Sequence, residues 1–211
     1  MKLTIALAAG ALALVAAPAA AHTRQAKHSH SAKHSHSVKH KAKKHSMMNH
    51  MASNPMVGGA AMYPTRNIIE NAVNSRDHTT LVAAVKAAGL VETLSGPGPF
   101  TVFAPTNAAF ARLPAGTVDT LLKPENKAAL AGVLTYHVVS GRVNSGQLVQ
   151  MIKDGGGMAT LTTVNGSTLT AKQMGSKIML TDSKGGMSTV TIANVMQSNG
   201  VIHVIDRVLL P

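Results

Sequence analysis

The chain has no cysteine and no tryptophan, and only two tyrosines and three phenylalanines among its 211 residues. Lack of cysteine excludes disulfides, thiolate metal sites, catalytic thiols and a lipidated N-terminal cysteine. The five aromatics (Tyr63, Phe100, Phe103, Phe110 and Tyr136) are too few for the stacking platforms of single-strand nucleic-acid binding, so no specific nucleic-acid partner is expected. Acid is scarce as well: 8 Asp+Glu stand against 20 Lys+Arg, a formal net charge of +12. Past residue 21 no apolar run approaches the ~17–25 residues that span a bilayer. The length suits one domain or two small ones.

Three regions differ in composition. Residues 1–21 place Lys2 before the apolar run Leu3 to Val15, then Pro18 and Ala19-Ala20-Ala21. That is the form of a secretory signal peptide cleaved before His22. The expectation is an exported protein, periplasmic or extracellular, that is not an integral membrane protein after cleavage. Exported without cysteine, it must draw its stability from its core.

Residues 22–51 hold eight His, seven Lys+Arg and no acid, with the tandem unit Lys27-His-Ser-His-Ser-Ala32 and Lys33-His-Ser-His-Ser-Val38. Almost nothing here can be buried to offset ordering entropy, so a disordered tail is expected. Met47, Met48, Met51, Met56 and Met62 follow among Asn, Pro and Gly, and the tail and linker together are read as 22–62. His28, His30, His34, His36 and His40 are candidate metal ligands, because imidazole suits copper, nickel and zinc. A flexible chain that must gather its ligands binds weakly and at several sites, and no tightly held cofactor is expected. The same segment also reads as a basic arm for anionic surfaces, or as a solubilising spacer.

Residues 63–211 carry 12 Lys+Arg and all 8 acids, so the excess charge lies mostly in the tail. About 149 residues can bury ~68–70% of the surface of the unfolded chain, enough for one core. The first half has helical periods. Thr65 or Asn67 caps Ile68, Ile69, Ala72 and Val73; Asp77 caps Leu81, Val82 and Val85, with Gly89 as the stop. Strand-like Phe100–Ala104 follows the breaker Ser95–Pro99. Short helical segments are expected from Thr106, Thr117 and Pro124, and a last helix from Asn144 or Ser145. The second half alternates with period two. Asn165-Gly166 joins 161–164 to 167–170 as a type I′ hairpin signal. Lys177–Thr181, Ser188–Asn194 and the nearly all-apolar Val201–Ile205 are further strands, the last a buried central one. Helices first and strands later make the class α+β.

No Gly-x-Ser-x-Gly elbow, His-Glu-x-x-His motif or phosphate-cradling loop is present. The eight acids form no close pair in sequence, and the spacing of His78, His137 and His203 supports no catalytic triad. His203 reads as a satisfied core histidine. No enzyme is indicated.

Three ordered segments resemble one family. Thr101-Val-Phe-Ala-Pro-Thr-Asn-Ala-Ala-Phe110 is similar to the first signature box of fasciclin domains. Leu134-Thr-Tyr-His-Val138 is similar to their central Tyr-His motif, and Ile192 to Pro211, with Asn199-Gly-Val-Ile-His-Val-Ile-Asp206, to their second box. The resemblance covers 63–211; Ala108 departs from the acid often found at its position. It implies a wedge of β-strands with helices packed against it, and a non-catalytic adhesion or binding module whose partner is a cell-surface, matrix or envelope macromolecule. Carried over from the motif, Tyr136 and His137, with Leu134, Val138 and Val139, become candidate partner contacts; core packing is the competing role for them. The alternative function is a periplasmic metal-binding or buffering protein using the His/Met-rich tail.

Overall fold

A computed structural model describes residues 54–211. The leader, most of the tail and the candidate ligands His28, His30, His34, His36 and His40 lie outside the described residues.

The chain enters through a small hairpin, β1 (Met56–Val57) and β2 (Ala60–Ala61). Helix α1 (Ile68–Ala72) starts where Asn67 and Glu70 form a capping box: each side chain accepts from the other's backbone N–H, at 2.9 and 2.8 Å. A 3₁₀ turn, Arg76–His78, leads into α2 (Thr79–Ala88), which ends on left-handed Gly89 (φ 74°). Then come α3 (Val91–Ser95), β3 (Phe100–Pro105), α4 (Asn107–Phe110), α5 (Thr117–Leu121), a 3₁₀ turn at Pro124–Asn126, and α6 (Lys127–Tyr136). Strand β4 (Val138–Ser140) follows directly. Helix α7 (Ser145–Asp154) opens on a second capping box, Asn144 with Gln147. The rest is β5 (Met158–Thr162), β6 (Thr168–Met174), β7 (Lys177–Thr181), β8 (Met187–Gln197) and β9 (Gly200–Ile205).

Seven strands form one sheet in the order β4-β3-β9-β8-β7-β6-β5. Only the β3–β9 pair is parallel. Its two ends nearly meet. Val139 bridges Thr163, and Val164 N–H donates to the Val138 carbonyl at 2.7 Å. The wedge is thus almost a closed barrel, which covers the edges of β4 and β5.

Period-two alternation splits the core into two clusters. Val102 and Ala104 of β3, with Ile202 and Val204 of β9, face a helical cluster that includes Leu81, Val85, Leu130 and Leu134. Phe103 and Ile205 face the opposite way, into the barrel, with Tyr136, Leu148, Leu161, Leu169 and Leu180. Strand β9 is therefore buried along all six residues, which is why its sequence reads almost continuously apolar.

Three expectations change. The segment read as linker up to 62 is part of the fold from about Met56: Val57 and Met62 are buried in the helical cluster. Gly58 (φ 58°) lets the hairpin close on Ser75–Asp77, where a Cβ would collide. Asp77 does not cap α2. Its Thr80 N–H instead donates to Asn107 Oδ1 at 3.0 Å, from the start of α4. The hairpin at Asn165-Gly166 is not type I′, which needs positive φ at both central residues. Only Gly166 has it (φ 87°). Gly166 N–H donates to Thr163 O and Thr163 N–H to Ser167 O, both at 2.9 Å, as in a type I turn followed by a left-handed glycine.

Candidate partner-binding site

The Tyr-His motif lies where α6 passes into β4. Tyr136 is completely buried. Its hydroxyl donates to the Thr168 carbonyl at 2.8 Å and accepts from Ser183 N–H at 2.9 Å. Burial raises its pKa, against the backbone bond to Ser183, which lowers it. His137 is 2% exposed. Its Nδ1 lies 2.8 Å from the Val133 carbonyl, and its Nε2 lies 3.0 Å from Leu209 N–H. A carbonyl only accepts and an amide only donates, so the ring is the neutral tautomer with its proton on Nδ1. Burial lowers its pKa to about 4, outweighing the Val133 carbonyl and Asp182, which act upward.

Leu134 and Val138 belong to the helical cluster, and Val139 to the barrel cluster. All five motif residues are buried. The direct-contact role read from the resemblance therefore does not fit this geometry. The motif ties the end of α6 to β6, to the β7–β8 turn and to the C-terminal segment, and presents no side chain to a partner.

The other domain histidines also face inward. His203 Nε2 lies 2.9 Å from the Val143 carbonyl, and its Nδ1 accepts from Asn194 N–H at 3.3 Å. It stacks on Phe103 with ring centroids 5.6 Å apart. This is the satisfied core histidine expected from the sequence, and burial lowers its pKa. His78 Nδ1 meets Ser75 Oγ at 2.8 Å. Its Nε2 is the one buried side-chain nitrogen or oxygen without a hydrogen-bond partner among the described residues. Burial lowers this pKa too, although the nearby Ala104 carbonyl and Asp77 act upward.

Both signature boxes supply long-range ties. Thr106 caps α4 through Ala109 N–H at 3.2 Å. Asn107 also donates to the Arg76 carbonyl at 2.8 Å. Asn199 accepts from Ile68 N–H at 3.0 Å and donates to the Leu94 and Gly96 carbonyls, both at 2.8 Å. Asn71 bonds Gln197 side chain to side chain. Asp182 accepts from Lys184, Gly186 and Leu210 N–H, and Asp206 from Thr189 N–H. The helix start at Thr106 was legible in the sequence; the other roles were not, because each partner is remote or supplied by a turn, and Asn199 beside Gly200 was the only trace. Among the described residues, no three His, Cys, Asp or Glu are placed to hold a metal ion, and no helix is long and apolar enough to cross a membrane.

A surface groove of about 420 Å³ opens between α7 and strands β6–β8. Val149, Ile178 and Val190 contribute apolar walls, and Ser145, Lys177 and Thr191 polar ones. No predicted site residue lines it.

A near-barrel of this topology, helices packed on the β3–β9 face, and two boxes joined by the parallel β3–β9 ladder define a known class. A protein-family model described as the Fasciclin domain matches residues 76–211, and the chain belongs to that family. It is 49% identical over 164 residues to Protein sll1483 of Synechocystis sp., covering 78% of this chain and 84% of that protein. It is 34% identical over 161 residues to Cell surface glycolipoprotein MPB83 of Mycobacterium bovis, covering 76% and 62%. A FAS1 domain pair from the insect cell adhesion molecule Fasciclin I superposes with a TM-score of 0.62 at 17% identity, over 69% of this chain and 51% of that one; this likeness concerns the fold.

Proposed function

We propose that the chain is an exported, single-fasciclin-domain protein acting as a non-catalytic adhesion or binding module at the cell surface, in the periplasm or in the extracellular matrix. Family membership over residues 76–211 carries this reading. It is supported by relatives and neighbours whose names speak of a cell-surface protein and a cell adhesion molecule. The commitment of both ring nitrogens of His137 and His203 to the backbone also supports it, since a histidine so bound has no site left for proton transfer. In this reading residues 1–21 direct export, and the segment that follows holds the domain away from its point of origin.

The test uses the full-length protein as bait on envelope and culture-medium extracts. Saturable recovery of a surface or matrix macromolecule is the expected result. Recovery no better than with an unrelated basic protein removes the reading.

A second reading, metal buffering by the tail, is favoured by the repeated Lys-His-Ser-His-Ser unit at 27–31 and 33–37. Titration of the full chain and of a chain starting at residue 54 with Cu(II), Ni(II) and Zn(II) separates the two. Uptake that survives loss of the tail rules the buffer out.

A further inference from the structure

The groove beside α7 exists because two neighbouring strands part. The ladder between β7 and β8 covers only Met179↔Thr189, Leu180↔Ser188 and Thr181↔Met187. Continued in register it would pair Ile178 with Val190 and Lys177 with Thr191. Those pairs are not made, and all four residues line the groove.

Strand β8 leaves its neighbour at a bulge. Its register against β9 shifts between Val190 and Ile192, and again between Ile192 and Val195. Asn194, at φ 60°, is the one non-glycine residue with positive φ among the described residues. It is clamped to the start of α7. Ser145 N–H donates to its Oδ1 at 2.7 Å, and its Nδ2 donates to Ser145 Oγ at 2.6 Å. A bulge bends the strand that carries it, and this one is held by side-chain bonds, so the opening is built before any ligand arrives.

Size separates this opening from the other clefts. Those along the helical core hold 20–30 Å³ each, room for a water or two. The groove, at about 420 Å³, falls in the ~300–1,000 Å³ range of ligand sites. Its chemistry is that of a strand receptor. Past Thr189, β8 has no ladder partner on its β7 side, and an unpartnered strand flank is a template for an incoming strand. The lining contains no aromatic ring to stack on a sugar, and no carboxylate. Its single charge is Lys177. The one ion pair among the described residues joins Arg112 and Asp206, so Lys177 is available to an acid.

We infer that this groove receives an extended acidic peptide segment of a partner protein, which adds as a strand along β8 and places a carboxylate against Lys177. The inference deepens the binding-module reading and rests on it, naming a partner chemistry.

The test follows backbone amides of the full chain by NMR while an acetylated, amidated octapeptide of alternating valine and aspartate is added. The basic tail also attracts such a probe, so the readout is residue-resolved. Expected are shifts centred on Lys177–Met179 and Val190–Asn194. Affinity should fall at least about tenfold on Lys177→Glu, on Ala193→Trp, which fills the groove, and on N-methylation of alternate peptide bonds. Both positions are exposed, and an unchanged remainder of the spectrum certifies each variant's fold. Three results overturn the inference: no shift at these amides up to ~1 mM peptide, a very weak affinity; equal binding of the N-methylated or lysine-substituted peptide; or shifts produced by alginate and not by peptide, which make the groove a glycan site. Partner capture by the full chain that ignores both variants overturns the groove and leaves the binding-module reading standing.

Discussion

His137→Gln tests the energetics of the motif at the α6–β4 junction. In the folded protein His137 is neutral, with Nδ1–H on the Val133 carbonyl and Nε2 accepting from Leu209. Protonation would set an added N–H against the N–H of Leu209 inside the core. Its folded pKa of about 4 lies below the ordinary 6.5, so between these values the unfolded chain binds more protons. The stabilisation is fully present above about pH 6.5 and is lost as pH falls toward 4. The gap between 6.5 and about 4 amounts to about 3 kcal/mol when complete, of which about 2 kcal/mol is gone by pH 5. Burial lowers the pKa of His78 and His203 as well, and their losses run in the same direction. The difference between wild type and variant isolates His137, because glutamine does not titrate. At pH 7.5 the variant should be less stable by about 2–3 kcal/mol, with the Val133 and Leu209 backbone groups left poorly paired. At pH 5 the difference should shrink by about 2 kcal/mol. Urea unfolding followed by far-ultraviolet circular dichroism at pH 7.5, 6 and 5 measures both chains. Parallel stability curves would refute the assignment of a buried neutral imidazole.

Other perturbations test the rest. Removing residues 22–53 should change unfolding free energy by less than ~1 kcal/mol, as for changes away from the core; Met62→Ala, in the helical cluster, should cost about 2–5 kcal/mol, and equal small effects would return the 54–62 segment to linker status. Val201→Asp or Ile205→Asp places a carboxylate on completely buried β9 at a cost of several kcal/mol; native-like thermal unfolding of either variant contradicts the central-strand placement. Asn199→Ala removes three bonds of a buried side chain, to Ile68, Leu94 and Gly96, and should cost about 2–4 kcal/mol, read as a lower denaturation midpoint. For the tail, eight histidines titrating near pH ~6.5 among seven cations set opposite pH trends. Metal uptake should strengthen from pH 5 to 7.5 as ligands deprotonate. Binding to anionic vesicles should weaken over the same range and with salt. If neither activity depends on the tail in metal titration and co-sedimentation, it is a spacer.

What the sequence determined by itself is what neighbours along the chain decide. Asn67 with Glu70, and Asn144 with Gln147, start helices through partners three residues away; Gly89 ends one by its own left-handed backbone. Period-two runs mark β5 to β8, and a nearly continuous apolar run marks β9. The order of the three boxes, with these elements, was enough for the class. What only the tertiary structure decided depends on which surfaces meet. Helix α2 is capped from Asn107, 27 residues past Thr80, so no local pattern could announce it. Val57 and Met62 look like linker until the helical cluster presents a surface to cover them. Tyr136 and His137 look like contacts until the turn from α6 into β4 buries them, where Thr168 and Leu209 complete their bonds. The groove by Lys177 arises from a failure of register between β7 and β8 and from a clamp between Asn194 and Ser145, 49 residues apart. Backbone conformation responds to the nearest few residues; burial, remote caps and the parting of strands respond to contacts that exist only once the chain has closed on itself.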